Sequence, residues 1–381
     1  DRPQSEIRRK RERSAIGHLP FWLATNHFMG EGFWFWVIPL RGKTSLGVVY
    51  DKEIFPWREV NSQEKLLEWL YREFPLFARD LPRRKILDYT ALKDFSYDCA
   101  QTISPHRWAL AGEAGRFTDP LYSPGSDLIS VYNTLITDAI LTDDPAELAL
   151  KCRAAEQLMR VFYQGTVPSY AVSYDALGDQ EAFTLKYVWE LCVYFPLYVF
   201  PFVNDLFTDR WFLPTYLSKF ARLGPINRGV QALVSGFYQW KKRHGRRPAG
   251  PVFNDFTELA PLKTAESAFY CVNPSADEAA RLFDRHLANL NELARFVAAH
   301  VTSVVVGDRA VLTNARFVEG IDVTRLRFDL DEMRARWSEA RGDGEHYRWS
   351  FDPFVLDRFC AAPTSRAVTV NGAAPREVCR V

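Results

Sequence analysis

Apolar and polar positions along the chain fall into two regimes. Up to about residue 142, apolar residues come in short runs punctuated by glycine-containing turns; from Pro145 onward they recur at helical spacing almost throughout. The runs 21–28, 33–40 and 44–50, separated by Met29-Gly30-Glu31-Gly32 and Arg41-Gly42-Lys43, predict a three-stranded antiparallel meander. Residues 62–74 predict a helix with Leu66, Leu67, Trp69 and Leu70 on one face and Asn61 or Ser62 as its cap. Residues 85–99 read as extended, 108–111 as a short buried strand, and 126–141 as a helix with Leu128, Ile129, Tyr132, Leu135, Ile136 and Ile140 on one face. Further helices are predicted over 146–163, 181–206 (broken at its prolines), 213–244 (interrupted near Pro225), 275–301 and 329–339. The pattern predicts an α+β chain: a sheet-bearing part over 1–142, a mostly helical domain over 143–360 and a weakly patterned tail over 361–381.

Two stretches carry candidate chemistry. In Trp34-Phe35-Trp36-Val37-Ile38-Pro39 the two tryptophans fall on one face of a strand, a rigid apolar wall that the proline ends or edges. In Gly112-Glu113-Ala114-Gly115-Arg116-Phe117-Thr118-Asp119-Pro120-Leu121-Tyr122-Ser123-Pro124-Gly125, a strand runs into a loop and then into a helix start. Free N–H groups at that start favour a phosphate, a reduced flavin or a halide ion. Gly112 allows close backbone approach, Glu113 offers a carboxylate to ribose or ribityl hydroxyls, and Asp119-Pro120 shapes the loop. His27, Tyr97 and Asp98 are secondary candidates to line such a pocket, with a satisfied histidine and a sheet edge as the plainer readings.

Composition narrows the partners. The chain has 381 residues, room for two domains or one large one. Aromatics reach 14%, which suits a flat or apolar ligand as well as a bulky core. A net charge of +1 gives no electrostatic case for nucleic acid, and the basic clusters 8–11 and 243–247 read as solvated, the second with a carrier-protein contact as its sharper reading. The six cysteines are scattered without a CxxC pair, which points to a reducing, cytoplasmic setting and away from a metal site. Residues 191–203, aromatic but interrupted by Pro196 and Pro201, fall short of the roughly 20 residues a membrane span needs and read as a buried helix; a lipid- or acyl-facing surface is the alternative. The polar start 1–13 shows no signal peptide, and the missing initiator methionine makes the chain read as part of a longer protein.

Trp34-x-Trp36-x-Ile38-Pro39 resembles the WxWxIP signature of flavin-dependent halogenases. Gly112-Glu113-Ala114, Asp119-Pro120 and Ser123-Pro124-Gly125 resemble their GDA…DP…SxG segment, shared with aromatic-hydroxylase-like flavoproteins. The likeness covers residues 20–142 and is diffuse beyond 143. It implies the antiparallel substrate and flavin region of a two-dinucleotide-binding-type flavoprotein, FAD as cofactor, and oxidation or halogenation of an aromatic or polyketide-like metabolite, free or carrier-bound. It further implies a halide ion and a separate flavin reductase as partners. By resemblance Trp34 and Trp36 stand beside the flavin and keep organic substrate off it, and Ile38 and Pro39 complete this candidate catalytic motif. Gly112, Glu113, Asp119, Pro120, Ser123, Pro124, Gly125 and Ser126 contact FAD, the last four facing its pyrimidine and the halide.

Three departures matter. Glu113 replaces the family's aspartate, and Tyr122 stands where the tryptophan-halogenating branch has a glutamate. No GxGxxG fingerprint occurs, so the chain reads as the C-terminal part of a flavoprotein whose front half would also carry the substrate-side lysine; Lys43 and Lys93 do not fill that role. A hydroxylase, a reductase of hydrophobic chains and a cofactor-free binding remnant are the alternatives.

Overall fold

The computed structural model describes residues 23–246, 259–342 and 345–357. Phe21, Trp22, the basic cluster 8–11, most of residues 246–252, which the sequence reads as a loop rich in Gly, Pro and Arg, and the tail 361–381 lie outside the described residues. Strands β1 (Asn26–Gly30), β2 (Phe33–Leu40) and β3 (Lys43–Tyr50) form an antiparallel sheet in the order β1-β2-β3. The first strand runs later than the apolar run predicted, because Gly30 pairs with Phe33 and leaves only Glu31 and Gly32 to turn the chain. Gly32 and Gly42 both have φ +75°, the left-handed region where glycine costs nothing.

Alternation on β2 sends Phe33, Phe35 and Val37 to one face. That face packs on α1 (Gln63–Glu73) and α2 (Pro75–Asp80) through Phe55, Trp69, Leu70 and Phe77. Ser62 caps α1, accepting from the Lys65 N–H. Residues 85–99 form no regular strand; their one ladder contact among the described residues is the Tyr97–Phe117 bridge. Strands β4 (Ile103–Ser104) and β5 (Trp108–Ala109) make a small hairpin, and Trp108 is exposed, not buried as the sequence suggested.

The helical part follows as α3 (Pro124–Ile140), α4 (Pro145–Ala171), α5 (Gln180–Tyr194), a π-helical turn over Phe195–Val199, and α6 (Phe200–Val203). Then come α7 (Phe212–Arg243), α8 (Ala260–Ser267), α9 (Ala276–Val306), α10 (Ala315–Glu319) and α11 (Leu330–Ala340). Pro196 is absorbed in the π turn, where one widened turn accommodates the missing N–H. Pro225 does not interrupt α7. Phe220, Leu223, Ile226 and Val230 are buried on either side of it, and their packing outweighs the local cost of the proline. Leu158, Phe162, Trp189, Phe200, Tyr216 and Phe237 lie at the centre of one core, to which α3 adds Val131, Tyr132 and Leu135. Among the described residues no helix is long and apolar enough to cross a membrane.

The sheet is tied to the helices at one corner. The Gly32 N–H donates to the Tyr174 carbonyl at 3.3 Å, and a Cβ on Gly178 would fall 2.9 Å from the Glu31 backbone. Lys242 at the end of α7 reaches Glu31 at 2.6 Å. The other face of β2, carrying Trp34 and Trp36, is thereby turned toward the helical part.

Candidate active site

The paired indoles are built by the pleat of β2. Trp34 and Trp36 have ring centroids 5.6 Å apart at 46°. Trp36 sits opposite Gly47 of β3, where a Cβ would lie 2.1 Å from its ring, so the indole lies flat over a strand that has no side chain there. Its Nε1 donates to Ser45 Oγ at 3.0 Å. Because Gly47 has no left-handed backbone to relax, Gly47→Ala tests the indole's seat directly. The expected cost is about 1–3 kcal/mol of overpacking, with a red-shifted tryptophan emission. Urea unfolding and an emission scan check it; an unmoved spectrum would mean that Trp36 does not rest on β3.

Trp34 is buried, 5.1 Å from the His27 ring, and donates from Nε1 to Tyr174 Oη at 2.7 Å. Tyr174 donates in turn to Asp119 Oδ2 at 2.9 Å, and the Leu121 N–H donates to Asp119 Oδ1 at 2.8 Å. Asp119 is therefore not an open loop carboxylate. Burial pushes it above its ordinary range, against the pull of the Leu121, Tyr174 and Trp34 donors. Burial first, then Asp119, push the Tyr174 phenol far up, so it stays a donor. Ile38 shares the indole face by alternation, and Pro39 pairs with Thr44 beyond the last β1 partner of β2, an edge position that needs no N–H.

The glycine segment meets this wall from the other side. Gly112 has φ +59° and opens a single helical turn, Gly112–Ala114. The Glu113 carboxylate lies over Gly125, where a Cβ would fall 2.1 Å from Oε1. Tyr97 Oη donates to the Glu113 carbonyl. Tyr122 and Ser123 follow one another at φ 67° and 59°, a left-handed pair of non-glycine residues that costs about 1–3 kcal/mol per residue. That kink swings the chain into α3 with Pro124 at its first position. The Ser123 side chain makes no capping bond, which leaves the first-turn N–H groups of Gly125 and Ser126 without a side-chain cap.

Leu121, Trp34, Tyr174, Trp36 and Tyr122 form one apolar cluster, so the wall and the segment leading to the helix tip are one construction. Ile38 and Pro39 are not part of that cluster. Beside it lies a cavity of about 550 Å³ lined by His27 and Met29 of β1, Tyr122 and Pro124 at the tip of α3, Tyr170 of α4 and Tyr187 of α5. Burial lowers the pKa of His27, keeping it neutral.

No family model matches the chain. Curated proteins do. It is 25% identical over 208 residues to "Flavin-dependent halogenase chlA" of Dictyostelium discoideum, covering 53% of this chain and 32% of the relative. It is 29% identical over 113 residues to "1H-pyrrole-2-carbonyl-[peptidyl-carrier protein] brominase" of Pseudoalteromonas luteoviolacea, covering 28% of this chain and 27% of the relative. It is 29% identical over 127 residues to "Tetracycline 7-halogenase" of Kitasatospora aureofaciens, covering 31% and 22%. The chain is flavin-dependent-halogenase-like. The matched stretches span between about a fifth and a third of these relatives' length.

Sequence reasoning on this halogenase-like chain missed the residues that hold the site in place. Tyr174 gave no signal, since nothing in its surroundings marks a partner 55 residues away. Arg116 was passed over inside the glycine segment, yet it is buried and bonds Asp98 Oδ1 at 2.6 Å, Glu156 Oε1 at 2.8 Å and Thr102 Oγ1 at 3.1 Å. Asp98 and Tyr97 thus staple the segment. Among the described residues no group of three His, Cys, Asp or Glu is placed to hold a metal.

Proposed function

We propose that the chain is the flavin-facing and substrate-side part of an FAD-dependent oxidoreductase that halogenates an aromatic or polyketide-like metabolite. One observation carries this reading: the indole face of β2 and the left-handed turn at the tip of α3 belong to one cluster, joined by the Trp34–Tyr174–Asp119 chain. Residues 1–142 supply the sheet and the flavin-contacting segment, and 143–360 the helical walls on the substrate side.

The residues at the tip fit the group. Gly125 leaves room for the Glu113 carboxylate, and the uncapped N–H groups of Gly125 and Ser126 suit an electron-rich ring edge or an anion such as halide. Gly112, Glu113, Ser123, Pro124, Gly125 and Ser126 would hold FAD there, with Pro120 shaping the loop. When bound, reduced FAD supplies oxygen activation. Asp119 acts differently: its oxygens are taken by Leu121 and Tyr174, so it is a positioning residue that fixes Trp34. Trp34 and Trp36 exclude water and organic substrate from the face they cover. The substrate reaches the site free or on a carrier, and a separate reductase delivers reduced flavin.

The test uses the protein at full encoded length. Its visible spectrum should show bound flavin, and with reduced FAD, oxygen and bromide it should brominate a phenolic trap. Gly125→Ala drives a methyl into Glu113 and should weaken FAD binding about tenfold or more, about 1.4 kcal/mol. A protein that retains no flavin at saturating FAD would overturn the proposal; flavin without a brominated trap would remove halogenation and leave an oxidoreductase.

A further inference from the structure

Four side chains stand in line from the indole wall into the buried interior. Trp36 is half-buried and is the more accessible indole of the pair; Trp34 is buried, its ring centroid 5.6 Å from that of Trp36. Trp34 donates from Nε1 to Tyr174 Oη at 2.7 Å, and Tyr174 donates to Asp119 Oδ2 at 2.9 Å. Tyr174 and Asp119 are buried too. The order is indole, indole, phenol, carboxylate, each in contact with the next.

Indole and phenol are among the side chains that lose an electron most readily. A radical cation on Trp34 would put a positive charge into a low-dielectric interior, where charge is costly. Its phenol neighbour can discharge it. Tyr174 gives the electron to the indole and its phenolic proton to Asp119 Oδ2, which lies within proton-transfer reach. A cation and a carboxylate thereby become a neutral phenoxyl radical and a carboxylic acid, and two buried charges vanish. Burial already pushes Asp119 above its ordinary range, the direction that favours taking the proton. Neighbouring tyrosines lack one part of this arrangement. Tyr170 donates at 3.3 Å to the Leu121 carbonyl, which is no base. Tyr194 donates to Asp127 at 2.9 Å but packs on Phe195, not on an indole.

We propose that Trp36, Trp34, Tyr174 and Asp119 form a one-electron relay: a one-electron oxidant takes an electron from Trp36, the vacancy passes to Trp34 and then to Tyr174, and the Tyr174 proton moves to Asp119. The resting state returns when a reductant such as ascorbate gives one electron to Tyr174 and Asp119 gives the proton back. The relay moves oxidative damage off the indole wall and onto a phenol that can be repaired. It stands on these contacts alone, and no step in it needs the function proposed above.

The test is flash photolysis of the full-length protein without flavin. A ruthenium tris-bipyridine sensitiser and a cobalt pentaammine quencher generate the oxidant, and trapped radicals are assigned by electron paramagnetic resonance as tyrosyl or tryptophanyl. Other exposed aromatics give a background shared by all variants, so differences are read. Tyr174→Phe is expected to lose most of the tyrosyl signal and gain a tryptophanyl one. Trp36→Phe should lose the tyrosyl signal without that gain. Asp119→Asn still accepts the phenol's hydrogen bond but cannot take its proton, and should behave as Tyr174→Phe does. Tyr174→Phe keeps the buried ring and decides alone if Asp119→Asn does not fold. A tyrosyl signal unchanged in Tyr174→Phe or in folded Asp119→Asn overturns the relay, as does a dominant tryptophanyl radical, or no radical, in the unaltered protein. Flavin retention is read separately from the visible spectrum, so failure here leaves the flavoenzyme standing, and a protein without flavin leaves the relay standing.

Discussion

Arg116→Ala is expected to destabilise the protein by about 3 kcal/mol and to loosen the glycine segment before anything else. The guanidinium is nearly inaccessible, with 1% of its side chain exposed, and reaches two carboxylates, a hydroxyl and a backbone carbonyl. Burial works against its charge, but the hydrogen bonds it donates to Glu156 and Asp98 more than offset this and leave its pKa raised. Glu156 shows the mirror effect: burial would raise it, and the Thr102 and Arg116 bonds bring it below its ordinary range. Removing the arginine leaves Glu156 with Arg160 at 2.9 Å and Thr102 Oγ1 at 2.6 Å, which places the cost at the lower end of what breaking a buried pair brings. The segment from Gly112 to Pro120 then loses its anchor on α4. Urea midpoints at unchanged m-value measure the energy, and amide exchange locates it. Protection should fall around Phe117 and Leu121 while the Phe35–Trp69 cluster under the sheet keeps its own. A loss below about 0.5 kcal/mol would mean that the guanidinium behaves as a surface charge.

What was legible in the chain were the features written at short range. The meander could be read because period-two alternation and two glycine turns sit within thirty residues of one another, and the Trp34–Trp36 face follows from the pleat alone. The start of α3 could be read from Ser-Pro-Gly, though not the left-handed pair Tyr122–Ser123 that aims it, since neither residue type advertises a positive φ. What was hidden were partners distant in sequence. Asp119 looked like a loop former and is a buried acceptor whose donor arrives at the end of α4. Lys186 and Glu190 stand one turn apart on α5, and only the packing of α4, α5 and α7 brings Ser169 and Gln231 to the same pair. Pro225 misled for the same reason: local propensity predicts a break, and burial on both flanks of α7 decides otherwise.

Lys241→Met is expected to cost about 3–5 kcal/mol near neutral pH, with a penalty that shrinks in acid. Lys241 is buried near the end of α7 and lies 2.7 Å from Asp179 Oδ1 and 2.8 Å from Glu181 Oε2. Asp179 caps α5 by accepting the Ala182 N–H at 2.9 Å, and Glu181 also meets His300 Nε2 of α9 at 2.9 Å. The cluster therefore fixes the start of the helix that carries Tyr187 and Glu190 into the cavity. Burial alone would push Glu181 up; His300 and Lys241 together bring it down to about 2 from 4.5. A carboxylate held below its unfolded value stabilises the fold fully above 4.5, and that contribution is lost as pH falls through 4.5 toward 2. Without the ammonium, Glu181 loses one of the two partners that lower it and its folded pKa must rise, so protonation begins at higher pH and relieves the stranded charge. Wild type and variant should accordingly differ most near pH 7 and converge toward about pH 3, as read from urea midpoints along that series. A penalty that stayed constant over the whole range would assign the loss to the buried volume of the lysine stem instead of to its carboxylate partners, and the start of α5 would then be held by shape alone.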